Sequence, residues 1–226
     1  MTTTKPPTID NAIDAVWANA PASNINTLVF GNRTADYSGS WRALAGSDNL
    51  YLLVEVNDAS LNGDSGANWW EDDTVEVFLD GNNSKGSSYD GRNDFQFGFR
   101  WGDNVVQTGG NSLKNTTGIQ RRMVATGKGY RLEAAIPWGL IGTVPASGKS
   151  IGLDVAIDDD DQGGARDAQY TAFAQDSSGW RNPAVFGSVT LSNCGSGSSP
   201  PVTPPPVSSG PVVNGGIYEV TVKHSG

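Results

Sequence analysis

Period-two alternation restricts this chain more than any other feature. From Thr74 to Asp80 the residues read Thr-Val-Glu-Val-Phe-Leu-Asp. Val75, Val77 and Leu79 therefore point to one face of an extended strand, and Thr74, Glu76 and Phe78 to the other. The pattern returns at 94–101, where Phe95, Phe97, Phe99 and Trp101 share a core face and Gln96, Gly98 and Arg100 share the opposite one. It returns again at 129–136 and 151–157. At 49–57, Leu50, Leu52, Val54 and Val56 alternate with Tyr51, Leu53 and Glu55, so both faces are partly covered, as inside a two-layer sandwich. Shorter strand-like pieces lie at 25–30, 39–46, 119–126, 168–174 and 186–191. The 29 glycines and only 15 Lys and Arg among 226 residues suit a β-protein with many turns. The expected fold class is all-β, an antiparallel, jelly-roll-like β-sandwich over residues 1–193. Trp17 and Trp138 are expected core anchors, the latter in a helical turn at 137–141.

After this body the composition changes. Residues 194–216 are rich in Gly, Ser and Pro and read as a linker, part flexible and part polyproline II. Residues 217–226 resume strand character and are read as the first strand of a truncated further module, with a faint likeness to the start of ricin-type β-trefoil repeats. Cys194 is the only cysteine, so no disulfide can form within this sequence. The start lacks an apolar signal core. The expectation is a secreted, extracellular protein whose signal was removed, or an internal piece of a longer one. No run of about 18 apolar residues is present. A net charge of -9 and a pI near 4.4 argue against nucleic acid and anionic membrane as partners. A monomer is the expected state.

The chemistry concentrates just before and along the strand at 74–80. Trp69 and Trp70 stand in the loop that enters it, and Glu76 lies on its second face. An aromatic ring can stack on the weakly apolar face of a sugar while a carboxylate accepts its hydroxyls. Adjacent residues at a strand edge point opposite ways, so one tryptophan is expected in the core and the other exposed. A second loop, 176–183, presents Trp180. If the strand at 94–101 lies beside that of Glu76, then Gln96 and Arg100 join the carboxylate. Two loops are rich in oxygen ligands: 57–66 with Asp58 and Asp64, and 80–94 with Asp80, Asn82, Asp90 and Asp94. At least one is expected to bind calcium structurally. Neither follows the EF-hand pattern. The run Asp158–Asp161 reads as a solvated acidic turn.

Taken in order, these landmarks resemble a family 9 carbohydrate-binding module, within the DOMON-like group of β-sandwiches. The likeness spans about residues 8–191. It rests on Ile9-Asp10, Trp17, Leu50-Tyr51-Leu52, the stretch from Trp70 to Asp80, Asp94-Phe95-Gln96-Phe97, Glu133 to Trp138, and Trp180-Arg181-Asn182-Pro183. The resemblance implies a non-catalytic sandwich with bound calcium that clasps a sugar end between Trp70 and Trp180, with Glu76 receiving hydroxyls. Xylan or cellulose, plant-type polysaccharides, are its implied ligands, and catalytic or binding modules of a glycoside hydrolase its implied neighbours in the parent chain. The chain departs from the family where a binding arginine falls at Gly98, an amide at Ala156 and an asparagine near Ser177. Three alternatives stand beside this reading. They are a small glycosidase using Glu76 with Asp154 or Glu133, a haem domain with Met123 as a ligand, and a structural spacer.

Overall fold

The computed structural model describes residues 5–193 and 218–223. Apart from three short 3-10 turns at Ala15–Asn19, Trp69–Glu71 and Pro183–Val185, the described chain is built from antiparallel strands. One layer contains β7 (Gln107–Thr108), β6 (Asp94–Arg100), β5 (Thr74–Asp80) and β10 (Ser150–Asp159), in that order. The far edge of β10 is shared between β12 (Gly187–Asn193), which pairs with its first half, and β11 (Ala168–Thr171), which pairs with its second. β2 (Thr27–Gly31) continues from β11. The other layer runs β8 (Gln120–Ala125), β9 (Gly129–Pro137), β4 (Asn49–Asn57), β3 (Ser38–Ala45) and β1 (Ser23–Ile25).

The alternation read from the sequence sets which side chains meet between the layers. Val75, Val77, Leu79, Phe95, Phe97 and Phe99 from one layer pack with Leu50, Leu52, Val54, Val56, Leu132 and Ile136 from the other. Trp138 joins them, and its Nε1 donates to Gly46 O at 2.9 Å, so the buried indole keeps its hydrogen bond. The opposite face of β4 is covered too. Tyr51 and Leu53 pack there with Leu44, Ala135, Val16 and Trp17, which explains why Trp17 is needed in an otherwise irregular entry segment.

Two segments depart from expectation. The aspartate run is not a solvated turn. β10 continues through Asp159, and Asp158, Asp159 and Asp160 are all buried, with only Asp161 partly open. The turn residues proper begin later, where Gly163 and Gly164 take positive φ. The linker at 194–216, with Cys194, lies outside the described residues. Beyond it, Tyr218–Lys223 forms β13, whose backbone pairs with β12 and with the end of β3 and so bridges the layers at that edge. The stretch expected to open a further module is thus laid down here against the sandwich.

Phe97 is fully buried at the centre of this core and stacks on Phe95 with 5.2 Å between ring centroids. Phe97→Ala is expected to cost about 3–5 kcal/mol of unfolding free energy, read as a lower urea midpoint with an unchanged slope.

Candidate functional site

Strand register brings one set of polar side chains together on the outward face of the first layer. Glu76 lies opposite Gly98 of β6 and Ala156 of β10, while Phe78 lies opposite Gln96 and Asp154. Asp158 lies opposite Gln169 of β11. Residues directly across from one another share a face and touch. Gln96 Nε2 donates to Glu76 Oε2 at 2.5 Å, and Gln169 Nε2 donates to Glu76 Oε1 at 2.9 Å. The same Gln169 nitrogen donates to Asp158 Oδ1 at 2.9 Å, and the Arg166 guanidinium reaches that oxygen at 2.6 Å. Asp154 is held by the main-chain N–H groups of Val155, Ala172, Phe173 and Ala174. Burial pushes its carboxyl up to about 7, with the four amides pulling the other way.

An outward face this polar would ordinarily meet solvent, yet every residue of β5 is buried. Loops close over it. Trp69 is 5 % exposed and Trp70 is 37 % exposed, so the pair does split between interior and surface. Their rings meet edge to face, with centroids 5.6 Å apart. Trp69 lies flat across β6 because position 98 is glycine: a Cβ there would sit 2.4 Å from the indole. Trp70 is pinned from the side, its Nε1 donating to Glu71 Oε1 at 3.0 Å, while Glu71 Oε2 accepts from Arg166 N at 3.2 Å. Trp180, 48 % exposed, comes from the loop between β11 and β12. That loop is tied down where Tyr89 OH donates to Gly179 O at 2.9 Å, and Gly179 rests on the Phe78 ring. Together these groups line a cavity of about 360 Å³, near the lower end for small-molecule sites.

Of the residues singled out in the sequence, Trp70, Trp180, Glu76 and Gln96 converge on this cavity. Arg100 does not. Its guanidinium turns to Asp72 Oδ2 at 2.9 Å, Asp103 Oδ1 at 2.8 Å and Gly66 O at 2.8 Å. Asp72 is fully buried, and a buried carboxylate without a cation is costly, so Arg100 is claimed by it. The cation that does line the cavity is Arg166, which the sequence reading missed along with Gln169, Asp176 and the floor role of Trp69. Gln169 had a signal: in a strand whose Ala168 and Tyr170 face the core, it must face the same way as Thr171. Arg166 had none, since it sits in an irregular loop and is aimed by its partner Asp158.

Of the two carboxylate pairs in the glycosidase alternative, Glu76 with Glu133 is split between the layers, while Glu76 and Asp154 share the cavity. Glu133 belongs to the other layer, where it accepts from Asn11 N at 3.0 Å. Asp154 does line the cavity, but it is engaged by four main-chain amides. Met123, the haem-ligand candidate, packs on the core from β8 in the layer opposite the cavity. The only histidine, His224, lies outside the described residues.

Carboxylates gather beside the cavity in groups whose oxygens lie within 4.8 Å of one another: Asp58 with Asp73 and Asp159, Asp64 with Asp72 and Asp160, and Asp36 with Asp58 and Asp161. The 57–66 loop thus contributes Asp58 and Asp64, while its partners come from the end of the tryptophan loop and from the aspartate run. Asp58 Oδ2 and Asp160 Oδ2 are buried with no partner. Burial pushes the Asp73 carboxyl up to about 9 and that of Asp159 to about 7. Such all-oxygen, acidic sets suit a hard divalent cation. The 80–94 loop is different. Asp80 accepts from Asn82 N and Lys85 N, Asn82 from Ser84 N, Asp94 from Asp90 N, and Asp90 from Arg92 N and Asn93 N. Asp80, Asn82 and Asp90 are spent largely on their own loop. Asp94 keeps a buried Oδ1 with no partner, and burial pushes its carboxyl up to about 6, but none of the four belongs to a three-carboxylate group among the described residues.

A two-layer antiparallel sandwich with two exposed indoles beside a carboxylate–amide network defines a β-sandwich binding module. Comparison gives its family: the profile described as "Carbohydrate family 9 binding domain-like" matches residues 9–194, and the chain belongs to that family of carbohydrate-binding domains. The chain is 32% identical over 192 residues to the endo-1,4-beta-xylanase A of Thermoanaerobacterium saccharolyticum. It is 34% identical over 191 residues to the exoglucanase XynX of Acetivibrio thermocellus. These matches cover 85% and 84% of this chain but only 16% and 17% of those proteins. Among solved structures, the family 9 module of Caldicellulosiruptor kristjanssonii in complex with cellotriose superposes with a TM-score of 0.75 at 24% identity, covering 88% of this chain and 96% of that one. The same module in complex with glucose gives 0.74 at 24% identity, covering 89% and 97%. This likeness shows the fold.

Gly98→Ala is expected to force Trp69 off β6. The expected result is a loss of about 1–3 kcal/mol in stability and a collapse of the near-UV circular dichroism of the Trp69–Trp70 pair. Unchanged near-UV signal would show that the ring does not depend on the missing Cβ.

Proposed function

We propose that this chain is the non-catalytic sugar-gripping module of a secreted, multimodular polysaccharide-degrading protein, and that a pyranose ring sits between Trp70 and Trp180. The observation that carries this reading is that both half-exposed indoles line one cavity floored by Glu76 and Gln96. Ring faces stack on the indoles. Each Glu76 oxygen accepts one amide N–H and keeps a lone pair for a sugar hydroxyl. The closed floor favours a chain end over a chain interior. A xylan- or glucan-type ligand is favoured by the names of the related xylanase and exoglucanase and by the cellotriose and glucose complexes of the structural neighbour. In the parent protein, a Gly/Ser/Pro linker at 194–216 would raise the local concentration of attached modules at the polysaccharide.

The test is intrinsic fluorescence titrated with glucose, cello- and xylo-oligosaccharides. Wild type is expected to saturate. Trp70→Ala and Trp180→Ala are each expected to lose about 2 kcal/mol or more of binding, roughly 30-fold in affinity, with the fold intact. Full binding in either variant would remove that ring from the grip, and no response in wild type would leave a structural spacer as the better reading.

The same proposal includes structural calcium at the Asp58/Asp73/Asp159 and Asp64/Asp72/Asp160 groups. The unpartnered, buried oxygens of Asp58 and Asp160 support it, because an acceptor in the interior needs a donor or a cation. The pH dependence has a definite sign. In metal-free protein Asp159 and Asp73 keep protons up to about 7 and about 9, whereas in the unfolded chain they release them near 3.8. The folded state then binds more protons across that window, so stability is full below it and falls as pH rises through it. Chelator-treated protein is expected to lose melting temperature steadily from about pH 4 to pH 9. Added calcium is expected to restore it most at the alkaline end. A melting temperature indifferent to calcium at pH 9 would rule the sites out.

A further inference from the structure

The polar half of the cavity is unbalanced in two respects, charge and hydrogen-bond direction. Its ionisable lining residues are Glu76 from β5, Asp176 from the Trp180 loop, Arg166, and Asp154 from β10, whose carboxyl is pushed up by burial to about 7 so that it carries only part of its charge at neutral pH. Arg166 is engaged through Nη1, while its Nε has no partner. Its guanidinium lies 2.6 Å from buried Asp158, and Glu76 and Glu71 add further negative charge around it. Phe30 stacks on the same guanidinium at 4.8 Å. The other nearby cations do not themselves line the cavity: Lys85 Nζ donates to Phe186 O, Lys114 Nζ to Gly109 O and Thr108 O, and Arg181 lies over the Trp180 ring. Hydrogen bonding has the same bias. Both lining amides donate to carboxylates, Gln96 to Glu76 and Gln169 to Glu76 and Asp158. Thr171 Oγ1 donates to Ala174 O. Gln96 is 4 % exposed, and its Oε1 has no partner. The groups left for a ligand are the second lone pairs of the carboxylates, Gln96 Oε1 and, as a donor, Arg166 Nε, so acceptors outnumber this donor under a net negative field.

We propose that this acceptor-rich, net-negative cavity selects uncharged sugar rings and rejects uronic acids. This rests on the sugar-grip reading above and adds to it the charge class of the ligand. A neutral pyranose brings hydroxyl donors to every vacant acceptor. A uronate brings a carboxylate that would face Glu76 and Asp176 in a partly desolvated site, where like charges repel far more than in water.

The experiment is calorimetric titration of the whole chain at neutral pH with glucose, glucuronate and glucuronate methyl ester. The ester keeps the added bulk of the acid and removes its charge. Glucuronate is expected to bind about tenfold or more weakly than glucose in low salt, with the ester close to glucose. The gap is expected to narrow in about 1 M NaCl, where the screening length falls to about 3 Å. Glucose binding with glucuronate equal or tighter overturns the charge selection and leaves the sugar grip standing. Rejection of acid and ester alike, unmoved by salt, assigns the effect to shape and also overturns it. Failure of glucose itself, together with cello- and xylo-oligosaccharides, overturns the grip and this inference with it.

Discussion

The molecule is organised by the need to satisfy carboxylates that its own strands carry into the interior. Glu76, Asp154 and Asp158 stand on the outward face of β5 and β10, and all three are buried. Each must be met by fixed donors, because an unpaired charge in such a place costs several kcal/mol. Glu76 receives two amides, Asp154 four backbone N–H groups, and Asp158 an amide and a guanidinium. These demands draw the loops inward. The segment after β11 wraps Asp154 with its main chain and, in doing so, delivers Trp180 to the rim. The turn before β5 is closed by Glu71, which holds both the Trp70 indole and the Arg166 backbone. The cavity is what remains once the loops have closed over these groups.

The sandwich itself was legible because alternation is a local signal. Side chains one residue apart cannot share a face, so Val75, Val77 and Leu79 declare a core without knowledge of what lies across from them. The tryptophan pair was legible for the same reason, since adjacent residues must diverge. What alternation cannot supply is the choice of partner. Arg100 and Arg166 are both arginines near the cavity in sequence terms, but which one lines it depends on which buried aspartate claims it. Asp72 takes Arg100 and Asp158 takes Arg166. Nothing local to either arginine says so.

The aspartate run was misread on similar grounds. Four acidic residues before Gly-Gly look like a turn because isolated charges prefer water. That preference is reversed when each carboxylate finds a separate role. Asp158 holds Gln169 and Arg166. Asp159 accepts from Thr34 Oγ1 at 2.8 Å. Asp160 accepts from Gln162 N and Gly163 N, and its own N–H donates to Asp73. The strand therefore continues past the point where composition alone would end it.

That continuity joins the cavity to the carboxylate groups beside it. Asp158 holds the cavity-lining Gln169 and Arg166, Asp159 belongs to the group with Asp58 and Asp73, and Asp160 to the group with Asp64 and Asp72. On the other side, Asp72 and Asp73 directly follow the turn that carries Trp69 and Trp70. Two stretches of backbone, each only a few residues long, thus carry both groups that line or support the cavity and the acidic groups. Once the aspartates ionise, their repulsion would separate these stretches, and with them Trp70 and the Asp158-held Arg166. A cation bridging the aspartates would hold them together at the spacing the cavity needs. On the calcium reading, the metal and the sugar both favour the same closed arrangement of these stretches, and linkage then requires each to tighten the other's binding.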